Sequence, residues 1–230
     1  IHRVQVAVRK DGTILGIKDV FLYDTGAYIP YGLIIPIVAS CTLPGPYKIP
    51  NYHAEFKAVF TNKTICSPYR GAGRPHGVFV MERIINRIAE ELGIDRVEVR
   101  RRNLIQPDEF PYDVGLIYQD NAPLRYDSGN YPGLLDKLLK LIEYDQWPAR
   151  KEQYRKEGRY VGLGLALYVE GTGVGPYEGA RVHVEPSGKV WVATGVGTQG
   201  QSHQTTFAQI VAEELGVRVE DVEVVTGDTG

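Results

Sequence analysis

The stretch Val4-Gln5-Val6-Ala7-Val8-Arg9-Lys10-Asp11-Gly12-Thr13-Ile14 contains the pattern that decides the fold. Valine alternates with other residues up to Val8, as in a strand with one buried face, and Asp11-Gly12 is typical of a tight turn between paired strands. The extended run over residues 14–23 completes a predicted β-hairpin. The same spacing recurs in Val182-x-Val184-x-x-Ser187-Gly188-x-Val190, which indicates a second, related β-unit, although so loose a match can arise by chance.

Four segments with helical spacing or a capping residue predict helices between and after these β-units. They are residues 81–92, ended by Gly93; residues 95–102, capped by Asp95; a segment that begins at Asn130; and residues 207–215, ended by Gly216. Residues 106–131 show no periodicity and are expected to form a long surface connection, and charged residues 150–159 bridge to the second β-unit. This order predicts an α+β fold of two units, residues 1–145 and residues 146–230.

The composition excludes several classes of protein. Hydrophobic residues make up 43% and charged residues 23% of the 230 residues, which is ordinary for a folded globular protein. The formal net charge of -2 provides no basic excess to neutralise phosphates, so we expect no nucleic-acid partner. Apolar stretches such as residues 33–39 are far shorter than the roughly 18 residues that span a bilayer, so we expect no membrane segment.

The two cysteines, Cys41 and Cys66, belong to no Cys-x-x-Cys pair or Cys/His cluster. The chain alone therefore predicts no zinc or iron–sulfur site and no other metal ligands. We expect two buried free thiols in a reducing compartment, and hence a cytoplasmic location. The chain enters a strand pattern directly at Ile1 without an initiator Met or a signal peptide, which is typical of a piece of a longer polypeptide.

A literal GxGxxG motif, Gly195-Val196-Gly197-Thr198-Gln199-Gly200, follows a predicted strand and precedes a helix. Alone it suggests a dinucleotide-binding turn and an NAD-dependent dehydrogenase. The preceding strand is expected to be the second arm of a hairpin, however, whereas that fold requires a buried parallel first strand. The predicted strand over residues 222–225 has no acidic residue at its end until Asp228, which lies beyond the usual distance of about 20 residues.

The physics of the turn still predicts an anion site. A glycine-rich turn that leads into a helix exposes backbone N–H groups, and the start of a helix favours a phosphate. Side-chain donors follow at residues 202–206. The alternative is that Ser202 only caps the helix and the glycines only form the turn.

A second candidate is Ser67-Pro68-Tyr69-Arg70-Gly71-Ala72-Gly73-Arg74-Pro75, in which two arginines flank small residues. Small residues let another group approach the backbone closely, and arginine binds anions, so this loop could contact a cofactor. The alternative is an exposed turn with two surface arginines.

A series of short motifs runs along the chain in a fixed order. They are Tyr69-Arg70-Gly71-Ala72-Gly73-Arg74-Pro75, Glu82-Arg83, Arg100-Arg101-Arg102-Asn103-Leu104-Ile105, Tyr126-Asp127-Ser128-Gly129-Asn130-Tyr131, Gly171-Thr172-Gly173-Val174-Gly175-Pro176, Gly200-Gln201-Ser202-His203-Gln204-Thr205 and Gly227-Asp228-Thr229. Taken in this order, they resemble the central portion of the molybdenum-binding large subunit of the xanthine dehydrogenase / aldehyde oxidase / carbon monoxide dehydrogenase-like family. The resemblance covers essentially the whole chain and implies two molybdopterin-binding α+β units with mixed β-sheets and packed helices.

The resemblance also implies which residues form the site. Those implied to bind a molybdopterin dinucleotide are Arg70, Gly200, Gln201, Ser202, His203 and Thr205, and those implied for the substrate pocket are Tyr69, Gly71 and Ala72. The family pattern has Gly where Ser202 stands, so a backbone contact there is altered. Ala72 stands where xanthine dehydrogenases have an aromatic residue, which makes a ring sandwich around a purine less supported. Copper-dependent carbon monoxide dehydrogenases have Cys where this chain has Gly71, which disfavours the copper route.

Members of this family are oxidoreductases that hydroxylate aldehydes or N-heteroaromatic rings with water as the source of oxygen, and their electrons leave through Fe-S clusters and FAD. The implied partners are an iron-sulfur subunit, an FAD subunit and the rest of the large subunit, in an oligomeric complex. The family's catalytic glutamate lies beyond this chain, so the catalytic base is unknown. We expect Glu82, Glu213 and Glu214 to be solvated helix positions.

Three functions stay open at this point. The chain is an enzyme component that is inactive as an isolated segment, or a non-catalytic fragment or scaffold of such a complex, or an NAD-binding dehydrogenase domain. An isolated piece of a larger subunit would expose surface that the subunit buries, so we also expect dimerisation or poor solubility.

Overall fold

The computed structural model describes residues 1–29, 31–171 and 177–227. Its strands are β1 His2–Val8, β2 Ile14–Gly26, β3 Tyr52–Phe60, β4 Tyr112–Ile117, β5 Pro123–Tyr126, β6 Ala180–Val184, β7 Val190–Thr194 and β8 Val222–Thr226. Its α-helices are α1 Ile34–Thr42, α2 Arg74–Leu92, α3 Arg96–Asn103, α4 Tyr131–Leu141, α5 Trp147–Lys156 and α6 His203–Leu215. Contacts divide the chain into two units, Ile1–Gly171 and Thr172–Gly230. Within the described ranges, none of the helices has the length and apolarity that crossing a membrane requires.

The first unit is built on a mixed three-stranded sheet, which confirms the predicted hairpin. β1 pairs antiparallel with β2, and Val8 lies opposite Ile14. The turn holds Gly12 at φ +91°, a conformation that glycine adopts at little cost, and the Thr13 amide donates to Asp11. β3 then adds parallel to the other edge of β2.

Helix α2 packs over this sheet and forms most of the core with it. Ile17 of the sheet and Met81, Ile85 and Ile88 of the helix are buried in one cluster. Gly93 ends the helix in the left-handed conformation, as predicted. The helix begins at Arg74, seven positions before the predicted start. The apolar stripe does not extend to this first turn, where Pro75 is compatible with a helix start.

A buried ion pair ties α2 to α3. Arg100 is fully buried, and its Nη2 donates to Glu82 at 2.6 Å; the Tyr47 hydroxyl donates to the other Glu82 oxygen at 2.6 Å. The expectation that Glu82 is solvated is therefore wrong, whereas Glu213 and Glu214 are exposed as expected. The pattern of the helix alone could not reveal this, because the partner arginine lies on another helix.

The connection after α3 contains more structure than the sequence suggests. Residues 106–131 are not a plain surface loop, because they include the antiparallel pair β4 and β5. The charged bridge over residues 150–159 largely coincides with α5. Two caps are confirmed, since Asp95 accepts from the Val97 amide at 2.7 Å and Asn130 accepts from the Gly133 amide at 2.8 Å.

The three-stranded sheet of the second unit repeats the topology of the three-stranded sheet in the first. β6 pairs antiparallel with β7, β7 pairs parallel with β8, and α6 connects the two parallel strands. Val184 lies opposite Val190, just as Val8 lies opposite Ile14 in the first unit. These are equivalent positions of the sequence repeat. The recurring spacing therefore corresponds to a repeated hairpin.

The two cysteines differ in exposure. Cys41 is buried in α1, and its burial raises the pKa of the thiol to about 11. Cys66 is exposed, which corrects the expectation of two buried thiols. It precedes the loop at residues 67–73, where no burial pattern in the sequence could have indicated its position.

Candidate functional site: a glycine-rich helix start and an arginine loop

The GxGxxG segment of the second unit follows an antiparallel strand. β7 is the second arm of the β6–β7 hairpin, and only its other edge pairs parallel, with β8. A dinucleotide-binding turn instead follows the central strand of a buried parallel sheet. The strand pairing thus removes the structural context that an NAD-binding turn needs.

The loop between β7 and α6 depends on two left-handed backbone positions. Gly200 has φ +99° and Ser202 has φ +61°. The Gln201 side chain folds back along the loop, where its Oε1 accepts from the Gln199 amide at 2.6 Å. A residue with a side chain is strained at the φ of Ser202, and glycine is not, which gives a physical reason for the glycine in the family pattern at this position.

The first turn of α6 contains backbone amides without an acceptor inside the helix. The first helical bond runs from the Thr206 amide to the Ser202 carbonyl at 3.0 Å, so the amides of the preceding helical residues have no acceptor within the helix. Ser202 occupies the N-cap position, but its side chain makes no capping hydrogen bond. The interpretation of Ser202 as an ordinary cap is therefore wrong.

His203 supplies a buried polar atom without a partner. Its Nδ1 is buried and makes no hydrogen bond among the described residues, and its ring stacks on Phe207 with centroids 5.0 Å apart. The loop over residues 195–205 contains no acidic residue, whereas Thr205 and Ser202 add exposed hydroxyl groups. Amides at a helix start and hydroxyls form a donor set that fits the phosphate oxygens of a pterin cofactor, and the His203 Nδ1 adds a donor in the tautomer that protonates it.

The arginine loop of the first unit consists of two successive tight turns. The Ala72 amide donates to the Tyr69 carbonyl at 2.6 Å, and the Arg74 amide donates to the Gly71 carbonyl at 2.9 Å. Gly71 has φ +94° and Ala72 has φ +47°. Tyr69 is 89% exposed, so its ring is available to a ligand. The turns bring the three predicted pocket residues, Tyr69, Gly71 and Ala72, together on one short loop.

The two arginines of this loop have different environments. Arg70 is exposed, as a ligand-binding side chain can be, whereas Arg74 is 7% exposed. The Arg74 Nε lies 3.1 Å from a Glu170 carboxylate oxygen, and its Nη2 donates to the Tyr118 hydroxyl. The alternative of two surface arginines is thus wrong for Arg74. Its partners are distant in sequence, so no local motif could have shown that it anchors the loop.

The predicted residues occupy one loop in each unit. Tyr69, Arg70, Gly71 and Ala72 lie on the arginine loop, and residues 200–205 lie at the start of α6. The motif residues Thr172-Gly173-Val174-Gly175-Pro176 and Asp228-Thr229 lie outside the described residues. Among the described side chains, no group of three His, Cys, Asp or Glu residues is arranged to hold a metal ion.

Comparisons with known proteins match both units. Models of the molybdopterin cofactor-binding domain match residues 1–104 and residues 137–230. The chain is 36% identical, over its whole length, to the gamma subunit of the 6-hydroxypseudooxynicotine dehydrogenase complex of Paenarthrobacter nicotinovorans, of which it covers 29%. It is 32% identical to the carbon monoxide dehydrogenase large chain of Hydrogenophaga pseudoflava, with 98% of this chain and 30% of that one covered.

A solved structure shows the same fold. The crystal structure of quinoline 2-oxidoreductase from Pseudomonas putida 86 superposes with a TM-score of 0.81 and 32% identity, over 98% of this chain and 30% of that chain. The chain therefore spans about 30% of the length of the relatives it matches. The sequence predicts that the two cofactor-binding units meet at residue 145. The two compact units of the structure separate after Gly171. The boundary of the cofactor-binding units stays a prediction.

Proposed function

The chain belongs to the family of molybdenum-binding large subunits of the xanthine dehydrogenase, aldehyde oxidase and carbon monoxide dehydrogenase type, and we propose that it supplies part of the cofactor site and part of the substrate pocket of such a subunit. Two molybdopterin cofactor-binding domains cover most of its length. The observation that carries the proposal is the start of α6, where uncapped helix amides follow a glycine turn without acidic residues.

In the second unit, we assign cofactor binding to Gly200, Gln201, Ser202, His203 and Thr205. Helix-start amides and hydroxyls donate to phosphate oxygens, and the positive end of the helix dipole favours their charge. The buried His203 Nδ1 gains a hydrogen-bond partner when the cofactor is bound. The bound group is a molybdopterin dinucleotide, whose molybdenum activates oxygen from water for hydroxylation.

In the first unit, we assign Arg70 to the cofactor and Tyr69, Gly71 and Ala72 to the substrate pocket. The guanidinium of Arg70 provides paired donors for an anionic group. The methyl side chain of Ala72 leaves room where a larger residue would fill the pocket. We propose an aldehyde or N-heteroaromatic substrate, in keeping with a related structure named for quinoline.

The complete enzyme requires further parts. The relatives include a gamma subunit and a large chain, whose names indicate assemblies of several subunits. We propose an iron-sulfur subunit and an FAD subunit as partners that carry electrons away from the molybdenum, in an oligomeric complex located in the cytoplasm. We assign no catalytic base among the residues of this chain.

Elemental analysis tests the proposal. The long form of the subunit is co-expressed with its genomic neighbours, dialysed, and analysed for molybdenum and phosphorus. We expect near-stoichiometric molybdenum with phosphorus in excess, and a loss of about tenfold or more in retained molybdenum for Arg70→Ala and Gln201→Ala, since a charge-assisted hydrogen bond contributes about 1.5–3 kcal/mol. The matched control is Glu214→Gln, an exposed position near the other end of α6.

Two outcomes would count against this function. Background levels of both elements in the complete complex would favour a non-catalytic scaffold. Equal molybdenum retention in both variants and in the Glu214→Gln control would reject the assigned residues while leaving the family's cofactor in place.

A further inference from the structure

Residues 161–171 belong to none of the helices and strands given above, yet they have the burial pattern of a β-strand. The half-buried residues alternate with exposed ones over ten positions; the half-buried ones are Val161, Leu163, Leu165, Leu167 and Val169. A period of two is what a strand shows when one face lies on a core, and Leu165 and Leu167 do pack against the core of the first unit. No backbone hydrogen bond joins this segment to a strand of the described residues.

One edge of the segment is held by arginine side chains of α3. The Leu163 carbonyl accepts from Arg96 Nη1 at 2.7 Å, and the Leu165 carbonyl accepts from Arg100 Nη2 at 3.0 Å. Successive residues of an extended strand direct their N–H and C=O groups to opposite edges. The even-numbered residues, Gly162, Gly164, Ala166 and Tyr168, therefore present their backbone groups at the open edge.

The segment also borders a mainly apolar cleft. The cleft has a volume of about 550 Å³ and lies between this segment and α2. Ala166 and Tyr168 line one side, and Phe79, which is 68% exposed, lines the other. Gly71 of the arginine loop lies in the same cleft. Proteins normally cover an unpaired strand edge, and they normally cover an exposed aromatic ring as well.

We propose that residues 161–171 are a strand whose partner is an extended segment of the large subunit outside these 230 residues, added along the open edge by backbone pairing. The proposal rests on the proposed function, in which this chain is part of a longer subunit. We assign the edge to a segment of the same subunit because the relatives match 98–100% of this chain yet are more than three times as long.

Hydrogen exchange with residue-level readout tests the pairing. The long subunit in its purified complex is compared with the 230-residue chain. We expect the amides of Gly164, Ala166 and Tyr168 to exchange at least about tenfold more slowly in the long subunit, and those of Leu165 and Leu167 to change much less. Equal exchange at Gly164, Ala166 and Tyr168 in the two proteins would overturn the proposal.

A substitution at the open edge provides a second test. Ala166→Pro removes one outward N–H group, and its fixed φ is compatible with an extended chain, whereas Ala166→Val keeps the N–H group. In the long subunit, the proline variant is expected to lose the tenfold protection at Gly164 and Tyr168, and the valine variant to keep it. In the 230-residue chain, both variants are expected to exchange alike at these positions, because the Ala166 amide has no backbone hydrogen-bond partner among the described residues.

The remaining outcomes identify a wrong occupant. Protection that depends on the concentration of the 230-residue chain would assign the edge to a second copy. Protection of the long subunit only after a companion subunit is added would assign it to that subunit. The molybdenum content of the same preparation separates these failures from a failure of the proposed function, since molybdenum without alternating protection rejects only the strand pairing.

Discussion

Replacing Gly73 with Ala tests the helix contact that fixes the arginine loop. A Cβ at this position would lie 2.5 Å from the Ala39 amide nitrogen of α1 and still nearer the Ile35 carbonyl oxygen. Ordinary contact begins at 3.4 Å, so backbone atoms must move by at least 0.9 Å (3.4 Å minus 2.5 Å). Both neighbours are main-chain atoms, which cannot rotate away as a side chain can. Overpacking of this kind costs about 3 kcal/mol.

Thermal and urea unfolding of the 230-residue chain measures this cost. For a domain of this size, about 3 kcal/mol lowers the melting temperature by roughly 6–12 °C. The matched control is Gly162→Ala, because a Cβ there meets nothing within 4 Å and the change should stay within about 0.5 kcal/mol. A Gly73→Ala variant as stable as the Gly162→Ala control would refute the close packing of α1 against the loop.

Three further outcomes are expected. Glu82→Gln leaves the fully buried Arg100 without a charged partner and should cost about 3–5 kcal/mol in urea unfolding; a loss below about 1 kcal/mol would contradict the buried ion pair. Burial holds the Cys41 thiol protonated at pH 8, so a thiol reagent should label only Cys66 in the folded chain and both cysteines in urea; two fast-labelling thiols in the folded chain would contradict this. Ser202→Gly relieves a left-handed φ of +61° and should stabilise the second unit by up to about 1 kcal/mol, measured by unfolding; a destabilised variant would show that the strain is absent.

Features with a local cause could be predicted from the sequence. Asp11-Gly12 forms its turn, Asp95 and Asn130 cap their helices, and Gly93 and Gly216 end theirs. Each depends on a backbone preference or on a hydrogen bond to a residue two or three positions away. The resemblance to a family extended this local knowledge to the cofactor, which the domain matches confirm.

Features that depend on distant partners could not be predicted. Glu82 resembles any charged position on a helix surface until Arg100 packs against it from α3. Arg74 resembles an exposed turn residue until Glu170 and Tyr118 surround it. A charged side chain is buried only where the fold brings a partner of opposite charge to it, and spacing along the chain does not contain that information.

The two units show why topology alone could not locate the cofactor either. In both units, a Thr-Gly pair stands at the end of the second hairpin strand. A helix then begins eight positions after the glycine, at Ile34 after Gly26 in the first unit and at His203 after Gly195 in the second. Both helix starts also lack a side-chain cap. The segment before Ile34 is rich in Tyr, Ile and Leu, however, whereas the segment before His203 consists mainly of Gly, Thr, Gln and Ser. A phosphate needs close approach to the amides and hydroxyl or imidazole donors around them, so the same order of strand, glycine and helix predicts an anion site at the start of α6 and none at the start of α1.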